Sequence, residues 1–569
     1  MTMAALRLLT TLLLLLLAAL AHSLPLLARG RWIVDETTGL RVKLACVNWV
    51  GHLEPGLPEG LNRLPVTTVA QTISSLGFNC VRLTYSIHML TRDTYTKATV
   101  GETFARLNLT EAASGIEHNN PGLLGLSHVA AYHRVVAALS EAGVMVILDN
   151  HVSKPKWCCA VDDGNAFFGD RYFNPNTWVK GLGLMATYFN NTPNIIAMSL
   201  RNELRGNQST PISWSKHMQW GAATVHKANP KVLVVLSGLH YDTDLSFLPV
   251  LPVTLPFKDK IVYEGHWYSF GIPWHAGLPN HVCTNETARF KRNIGFVTLS
   301  ANGTAAPLFI SEFGIDQRYV NDNDNRYLNC ILAYLAEEDL DWALWTMGGS
   351  YYYRSDQTPV KDFEETYGFF NHDWSRIRNP DFIARLKEIQ QPIQDPYLSP
   401  GPYYQIIYHP ASGLCIESSI GNTIHLGSCQ SVKSRWNYDA TVEGPIGLMG
   451  TSSCITTQGD GLPAIITENC SAPNNTMWST VSTAQLQLAT RVSDGEGKEK
   501  WMCLDGSKSP LILTTECICI TDSHCYPKLN PEKQWFKSHR YQQTIVASTL
   551  ILVLVFFPNF VMYFIPLQL

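Results

Sequence analysis

Residues 195–203 read Ile-Ile-Ala-Met-Ser-Leu-Arg-Asn-Glu, and residues 308–314 read Leu-Phe-Ile-Ser-Glu-Phe-Gly. Each stretch is an apolar run that ends at a carboxylate, Glu203 in the first and Glu312 in the second. An apolar run without polar alternation is typical of a strand that is buried on both faces. A glutamate at the end of such a strand is costly to bury, so we expect both glutamates to line a cleft with polar partners.

Apolar, β-rich runs of this kind recur along the chain and alternate with amphipathic stretches. The predicted strands are Leu44–Trp49, Cys80–Tyr85, Val144–His151, Ile195–Glu203, Val232–Ser237, Ile261–Tyr268, Leu308–Gly314 and Trp342–Met347. The clearest helical patterns between them are Val69–Leu76, His128–Ala142, Trp178–Phe189, Ser213–Ala228, Ala288–Leu299 and Asn325–Glu338. Eight strands separated by helices predict an α/β fold of the (β/α)8 TIM-barrel type. An open doubly wound sheet is the alternative, but its usual Gly-rich phosphate turn does not follow the first strand of this sequence.

Polar side chains gather where the predicted strands end, which is the face at which a barrel of this type carries its active site. Besides the two glutamates, these side chains are Arg82, Asp149, Asn150, His151, Asn202, Glu264, His266, Tyr268 and Trp345. Agreement among six strands is hard to attribute to chance, so we expect catalysis at this face.

Two carboxyl groups that face each other across a cleft suit the hydrolysis of glycosidic bonds. That reaction needs a proton donor on the leaving oxygen and a base or nucleophile at the anomeric carbon. Glu203 and Glu312 can fill these roles, and the residues alone do not decide which does which. A zinc site of His151, His266 and Glu264 is the chemical rival, but no His-Glu-X-X-His motif supports it. We therefore predict no metal and no cofactor.

The composition describes a globular protein of more than one domain. At 569 residues the chain is too long for a single hydrophobic core. Apolar residues make up 46% of the chain and charged residues 16%, and the net charge is -4. This charge provides no basic surface for a polyanion, so we expect no nucleic-acid partner.

The chain begins with the pattern of a secretory signal peptide. A short start ending at Arg7 precedes an apolar run over residues 8–20, and Ala21-His22-Ser23 resembles a cleavage site. We predict a signal peptide over residues 1–23, with a transmembrane anchor as the alternative. Secretion to the extracellular space or cell wall favours disulfides among the 14 cysteines and glycosylation at Asn-X-Ser/Thr sites. Those sites begin at Asn108, Asn190, Asn207, Asn285, Asn302, Asn469 and Asn474.

Residues 544–569 form an apolar tail that is long enough to span a bilayer. The cationic residues Lys537 and Arg540 lie on its N-terminal side, against the positive-inside tendency, and residues 536–539 make a poor site for lipid-anchor cleavage. We predict membrane attachment through this tail. Spanning and lipid anchoring stay open, and an uncleaved tail docked on the protein is the alternative.

A threefold repeat begins after a proline-rich stretch that ends near Pro402. Each unit holds a pair of cysteines, separated by 14, 16 and 14 residues, and then one tryptophan. The units contain Cys415, Cys429 and Trp436; Cys454, Cys470 and Trp478; and Cys503, Cys517 and Trp535. The repeat predicts a closed, three-part all-β domain over residues 402–538, with one disulfide inside each unit and Cys519 with Cys525 closing an extra loop.

The first domain, which we place at residues 24–398, holds six further cysteines. Cys158 and Cys159 are neighbours in sequence, and a disulfide between adjacent cysteines is disfavoured. We therefore expect one or both to pair with another cysteine of this domain: Cys46, Cys80, Cys283 or Cys330.

The region from Arg31 to about Gln391 resembles the family 5 glycoside hydrolases, which are cellulase-like retaining β-glycosidases with a β/α barrel. The resemblance rests, in order, on Arg82, His151, Asn202-Glu203, His266-Trp267-Tyr268, Glu312-Phe313-Gly314 and Trp345. It implies Glu203 as the general acid/base and Glu312 as the nucleophile of a double displacement. The carboxyl groups are then expected roughly 5 Å apart, whereas about 9 Å would indicate inversion.

The same resemblance implies how the other site residues bind the sugar. Asn202 would hydrogen-bond the sugar 2-hydroxyl, and Arg82 and Tyr268 would bracket the nucleophile. Two histidines and a tryptophan would line the sugar site: His151, His266 and Trp345, with Trp342 as the alternative floor.

Residues 402–538 resemble a ricin B-type β-trefoil lectin module, whose units usually carry a Gln-X-Trp signature. The corresponding positions read Ser434-Arg435-Trp436, Thr476-Met477-Trp478 and Lys533-Gln534-Trp535. The acid that binds sugar in that family falls at Glu417, Thr456 and Asp505, and only the third unit keeps aspartate. Asp505 is therefore the lectin-site candidate, and docking to a glycan and docking to a protein both stay open.

Three functions are compatible with these residues. The first is a secreted retaining β-glycosidase that hydrolyses β-linked glucan-type polysaccharides, oligosaccharides or small β-glycosides. The second is a transglycosylase, and the third is a lectin-like carbohydrate-binding protein with an inactive barrel. The presence of both glutamates disfavours the third, and only the preferred acceptor separates the first two. Endo or exo action depends on loops such as Lys154–Phe173 and Ser269–Thr284.

Overall fold

The structure is a computed structural model that describes residues 25–272, 278–299, 305–318, 321–355, 358–393, 403–419, 421–471, 475–493, 498–521, 525 and 529–542. The predicted signal peptide at residues 1–23 and the apolar tail at residues 544–569 lie outside the described residues. None of the described helices combines the length and apolar character needed to cross a membrane.

Eight parallel strands close into a barrel after an antiparallel hairpin of β1 (Leu26–Arg29) and β2 (Trp32–Asp35). The barrel strands are β3 (Ala45–Trp49), β4 (Cys80–Ser86), β5 (Met145–Val152), β6 (Ile195–Ser199), β7 (Leu233–Leu236), β8 (Ile261–His266), β9 (Leu308–Phe313) and β10 (Asp341–Met347). Each strand pairs with the next, and β10 pairs with β3. The predicted TIM barrel is therefore confirmed, and its strands are buried on both faces, as their apolar sequences require.

Helices cover the outside of the barrel. They are α1 (Val66–Ser75), α2 (His88–Thr91), α3 (Asp93–Thr96), α4 (Val100–Arg106), α5 (Thr110–Asn119), α6 (His128–Glu141), α7 (Pro175–Tyr188), α8 (Pro211–Ala228), α9 (Pro279–Asn293), α10 (Asp322–Glu338) and α11 (Pro380–Leu386). Short 3-10 turns lie at Lys258–Lys260, Gly295–Thr298, Glu388–Gln390, Val432–Ser434 and Pro531–Gln534. The helix predicted at Ala288–Leu299 is wrong, because Pro279 begins this helix in the first turn, where proline is favourable, and the helix ends at Asn293.

A hairpin of β11 (Ser350–Arg354) and β12 (Val360–Glu364) follows the last barrel strand, β10. An all-β unit comes after this hairpin in the chain. The strands of the unit are β13 (Tyr403–His409), β14 (Leu414–Ser418), β15 (Ile424–Gly427), β16 (Trp436–Asn437), β17 (Gly444–Pro445), β18 (Gly447–Leu448), β19 (Cys454–Thr456), β20 (Leu462–Pro463), β21 (Ile465–Thr467), β22 (Met477–Thr480), β23 (Leu488–Ser493), β24 (Glu499–Lys508), β25 (Leu511–Glu516) and β26 (Lys537–Gln542). The last strand pairs with the first, so the two ends of the unit meet.

Two of the repeated tryptophans make equivalent contacts. Trp436 and Trp478 are fully buried, and their indole N–H groups donate to the carbonyl oxygens of Ile416 at 3.0 Å and Ile455 at 2.9 Å. In both of these units the acceptor is the residue after the first cysteine, so the first two sequence repeats are also structural repeats. The predicted disulfides of this unit are confirmed: Cys415–Cys429, Cys454–Cys470, Cys503–Cys517 and Cys519–Cys525.

The prediction for Cys158 and Cys159 is wrong. The structure joins these neighbours to each other, with their Cα atoms 3.1 Å apart. The other four cysteines of the barrel bond among themselves, as Cys46–Cys80 and Cys283–Cys330. Each of the two neighbours is therefore left with only the other as a partner within the barrel.

Buried polar contacts join the all-β unit to the barrel. Asn329 of α10 donates to Glu532 at 2.8 Å and accepts from Arg385 of α11 at 2.5 Å. Asn280 of α9 donates to Gln487 at 2.9 Å. The bonds from Asn329 and Asn280 cross between the barrel and the all-β unit, and a typical buried hydrogen bond contributes about 0.5–1.5 kcal/mol.

Replacing Glu532 with glutamine is expected to reduce the dependence of stability on pH. Burial raises the pKa of Glu532 to about 7, so its stabilising contribution is present at low pH and is lost as the pH rises through that value. In the variant, the loss of unfolding free energy between about pH 5 and about pH 8 is expected to shrink by on the order of 2 kcal/mol. Thermal unfolding at both pH values measures this, with Glu111→Gln on the surface as the control. Equal pH dependence in wild type and Glu532→Gln would contradict it.

Candidate active site

Glu203 and Glu312 meet at the carboxyl end of the barrel. Glu312 lies in β9, and Glu203 lies just beyond β6 with a φ of 46°. This left-handed conformation is costly for glutamate and is typical of functional positions. The Glu203 backbone N–H donates to Asp242 at 3.2 Å, which holds the turn. One carboxylate oxygen of each glutamate lies within 4.8 Å of the other.

Glu312 receives two hydrogen bonds that stabilise its charged form. Arg82 Nη1 donates to Oε1 at 2.9 Å, and the Tyr268 hydroxyl donates to Oε2 at 3.1 Å. Burial raises the pKa of Glu312 to about 7, while the nearby His266 and Arg82 act in the opposite direction. Of the two glutamates, Glu312 is the one whose carboxylate is hydrogen-bonded directly to an arginine, Arg82.

Arg82 is a fully buried cation beneath the cleft. Its guanidinium lies 3.0 Å from Asp149 and 3.6 Å from Glu264, and it also donates to Asn202 at 2.9 Å. Burial alone lowers the pKa of Arg82, but the surrounding carboxylates outweigh burial and raise it. The arginine therefore stays charged and fixes Asn202 and Glu312 relative to each other.

Glu203 has a different environment. Its Oε1 is hydrogen-bonded to His266 Nδ1 at 3.0 Å, and burial raises its pKa to about 7. Burial also lowers the pKa of His266, so this imidazole favours its neutral form. Two carboxyl groups this close do not readily ionise together. Because Arg82 contacts Glu312, the remaining proton is expected on Glu203.

The other predicted sugar-binding residues surround this pair. His151 Nδ1 is hydrogen-bonded to the Asp149 carboxylate at 2.7 Å, and its Nε2 lies 3.3 Å from Asn202 Nδ2. Its ring stacks on Trp345 with 5.5 Å between centroids. Trp342, the alternative floor, is instead fully buried and donates to the Ile389 carbonyl at 3.0 Å.

These side chains line one cleft of about 800 Å³. This volume lies in the range of binding pockets for small ligands. Arg82 lies directly beneath the cleft and is fully buried. Seven of the predicted residues line the cleft: Glu203, Glu312, His151, Asn202, His266, Tyr268 and Trp345. Asp505 lies apart in β24, where its carboxylate accepts from Ser507 N–H at 2.7 Å and from the Thr515 hydroxyl at 2.8 Å.

Two site residues escaped the sequence analysis. Asn48 at the end of β3 accepts from Arg82 at 3.0 Å, and Asp242 beyond β7 holds the Glu203 backbone. Asn48 was detectable as a polar residue inside an apolar strand. Asp242 lies several residues beyond the end of β7, so its position in the sequence does not identify it as a polar residue at a strand end.

The described side chains offer two groups of donor atoms within reach of one ion. One is Glu203, His266 and Glu312, and the other is His151 with the disulfide-bonded Cys158 and Cys159. The zinc set considered from the sequence, His151 with His266 and Glu264, is not among these groups of described residues. Glu264 instead hydrogen-bonds Ser199 and faces Arg82.

The fold resembles solved endocellulases. A structure of the hyperthermophilic endocellulase from Pyrococcus horikoshii superposes with a TM-score of 0.51 at 19% identity, covering 65% of this chain and 100% of that chain. The catalytic domain of the major endoglucanase from Xanthomonas campestris gives a TM-score of 0.50 at 21% identity, covering 63% and 98%. At these identities the likeness concerns the fold.

Comparison of the sequence with known families and proteins identifies the family. The model of the family "Cellulase (glycosyl hydrolase family 5)" matches residues 51–350. A protein from Chamaecyparis obtusa described as a glycosyl hydrolase 5 family protein is 89% identical over 533 residues, which cover 94% of this chain and 96% of that protein. The chain therefore belongs to glycosyl hydrolase family 5 and is a glycosidase that acts on O-glycosyl bonds.

Proposed function

We propose that the chain is a secreted, retaining β-glycosidase that hydrolyses β-linked glucan-type substrates by double displacement. The observation that carries this proposal is the separation of the two glutamates, with oxygen atoms within 4.8 Å. Retaining glycosidases place their carboxyl groups about 5–5.5 Å apart, whereas inverting enzymes need about 6.5–9.5 Å to admit a water molecule.

In the first step, Glu312 attacks the anomeric carbon while Glu203 protonates the departing glycosidic oxygen. The bond between the carbon and that oxygen breaks, and a covalent ester between the sugar and Glu312 forms. The environments support these roles, because Arg82 and Tyr268 stabilise an ionised Glu312. Glu203, bonded to a neutral histidine, is suited to keep a proton for transfer.

In the second step, Glu203 takes a proton from water, and the hydroxide displaces Glu312 from the sugar. The product keeps the β configuration, since two inversions have occurred. Asn202 is placed by Arg82 to contact the sugar 2-hydroxyl, His151 and His266 line the sugar site, and the Trp345 ring provides its apolar floor.

The proposed substrate class follows from the relatives. The Xanthomonas campestris protein called a major extracellular endoglucanase is 23% identical over 374 residues. The Pyrococcus horikoshii endocellulase has been solved in complex with cellotetraose. A β-linked glucan or oligoglucoside is therefore the first substrate to test here. Proton NMR of the first product tests the mechanism: the β anomer supports it, and the α anomer would overturn it.

The dependence of kcat/KM on pH is expected to be bell-shaped. Glu312 must be ionised and Glu203 protonated, so activity falls at low pH as Glu312 gains a proton and at high pH as Glu203 loses one. Burial raises the pKa of both Glu203 and Glu312 to about 7, so the optimum is expected near that value, where one carboxyl group of the pair is ionised and the other is protonated. Initial rates with an aryl β-glycoside measure the profile. A rate that keeps rising above about pH 8 would contradict the assignment.

We further propose that the all-β unit is a ricin B-type β-trefoil and that Asp505 is its sugar-binding residue. The threefold cysteine and tryptophan pattern and the equivalent tryptophan contacts support the first part. A glycan array probed with the full chain and with Asp505→Ala tests the second part. Loss of binding in the variant would support it, unchanged binding would exclude Asp505 as the contact, and no glycan binding by either chain would favour docking to a protein.

Residues 1–23 and 544–569 are proposed to direct secretion and membrane attachment. Expression of the full chain with and without residues 544–569 tests this, by fractionating the culture medium and membranes. Recovery of both forms in the medium would exclude attachment through the tail.

A further inference from the structure

The catalytic pair divides the cleft into two sides. In the proposed mechanism, the sugar attacked by Glu312 lies against His151 and Trp345, and the leaving group lies beyond Glu203. Tyr241 lines the cleft next to Glu203, because its backbone N–H donates to the Leu204 carbonyl at 3.1 Å. Tyr241 therefore lies on the leaving-group side. The side of His151 and Trp345 therefore receives the non-reducing part of a substrate, which we call the glycon side.

An end wall stands on the glycon side, formed by Trp157, Cys158, Cys159, Arg354 and Phe363, all of which line the cleft. The Arg354 guanidinium lies 3.7 Å from the Trp157 ring centroid and 4.4 Å from that of Phe363. It is thus stacked between a ring from the loop after β5 and a ring from the β11–β12 hairpin. Such cation–π contacts favour a closed arrangement.

The wall begins immediately beside the first sugar site. The sulfur atom of Cys159 lies 3.6 Å from Asn202 Nδ2, and that of Cys158 lies 3.9 Å from the same atom. Both sulfur atoms also lie within 4.8 Å of a nitrogen of His151. Since Asn202 and His151 are the proposed contacts of the first sugar, little depth remains behind that sugar.

The loop that carries the wall is fixed by buried hydrogen bonds. The Asn165 side chain accepts from the backbone N–H groups of Ser153 at 3.2 Å and Lys154 at 2.9 Å. Arg205 donates to the Ala160 carbonyl at 2.9 Å. These contacts hold the loop at both ends, so the wall is a built part of the cleft.

A separate groove lies beside the wall, because residues next to Trp157 and Arg354 in sequence line it. It has a volume of about 380 Å³ and is lined by Lys154, Lys156, Tyr353 and Ser355 among others. These residues flank Trp157 and Arg354 in sequence, and none of them lines the catalytic cleft. Trp157 and Arg354 are therefore the positions in the chain at which the lining of the cleft meets the lining of this groove.

We infer that this wall makes the enzyme act from the non-reducing end, so that it releases a short glycon of one or two sugar rings and does not cleave internal bonds of a polymer. The inference rests on the proposed function and narrows its substrates to short β-glycosides and chain ends. Trp157, Arg354 and Phe363 are the residues that determine this specificity, through the length of glycon they admit.

The test follows the first products from β-linked oligoglucosides that carry a fluorescent label at the reducing end. Wild type is expected to shorten the labelled chain by one fixed step, whatever the starting length. On a soluble β-glucan, reducing ends are expected to appear with little early loss of viscosity. A spread of labelled products from the first time points, or an early fall in viscosity, would overturn the inference.

Opening the wall provides the matched comparison. Arg354→Ala and the double variant Trp157→Ala with Arg354→Ala are expected to raise the ratio of polymer activity to aryl β-glycoside activity by about tenfold. Arg134→Ala, an exposed arginine on the surface, is the control and is expected to leave the ratio unchanged. An unchanged ratio in both wall variants would overturn the role of the wall.

The outcomes separate this inference from the proposed function. Internal cleavage by wild type with retention of configuration would overturn the wall alone and leave the retaining mechanism intact. Failure to hydrolyse any β-linked oligoglucoside or aryl β-glycoside would overturn both.

Discussion

Replacing Glu312 with alanine is expected to reduce the turnover of aryl β-glycosides by about 10⁴-fold, or about 5.4 kcal/mol of transition-state stabilisation. Alanine cannot form the covalent ester, and it leaves Arg82 and Tyr268 without the carboxylate that they contact. Initial rates of phenol release from a dinitrophenyl β-glycoside measure the loss. Turnover that survives this substitution would remove the proposed mechanism.

Azide should restore part of the activity of Glu312→Ala. The truncated side chain leaves space for a small anion, which attacks the anomeric carbon from the face that the carboxylate occupied. One displacement then inverts the configuration and yields the α-glycosyl azide. Glu141→Ala, at an exposed helical position, is the control and is expected to keep wild-type rates without azide.

The barrel and most of its catalytic residues were predictable from the sequence for a physical reason. A strand that is buried on both faces leaves its polar residues only at the end, so Glu312, His266 and Asn202 stand out against their apolar neighbours. The disulfides of the repeat were predictable because each pair lies inside one short unit.

The features that escaped prediction depend on contacts between distant segments. Trp157 and Arg354 are remote in sequence, and no local pattern indicates that their side chains stack. The pairing of Cys158 with Cys159 follows from how the other barrel cysteines pair. Asp242 reaches the Glu203 turn from a loop, and loops carry no periodic signal.

Replacing Glu203 with alanine is expected to lower the hydrolysis of glycosides that have a poor leaving group by about 10³-fold, since general acid–base catalysis contributes about 10²–10⁴-fold. The first step needs a proton only when the departing oxygen is strongly basic. With a dinitrophenyl glycoside, the variant should therefore form the glycosyl ester nearly as fast as wild type. The second step lacks its base, so a burst of phenol and an accumulated ester, visible by mass spectrometry, are expected.

The effect of azide on Glu203→Ala distinguishes the two glutamates. Here the anion attacks the ester formed on Glu312 from the opposite face, so the product is the β-glycosyl azide. The alkaline limb of the pH profile should also disappear, because Glu203, whose loss of a proton produces that limb, is absent. The α-azide from this variant, or an unaltered alkaline limb, would show that the roles of Glu203 and Glu312 are reversed. In Glu312→Ala the azide approaches one face of the sugar, and in Glu203→Ala it approaches the opposite face. Azide products of opposite configuration would therefore show that the two carboxyl groups lie on opposite faces of the same sugar.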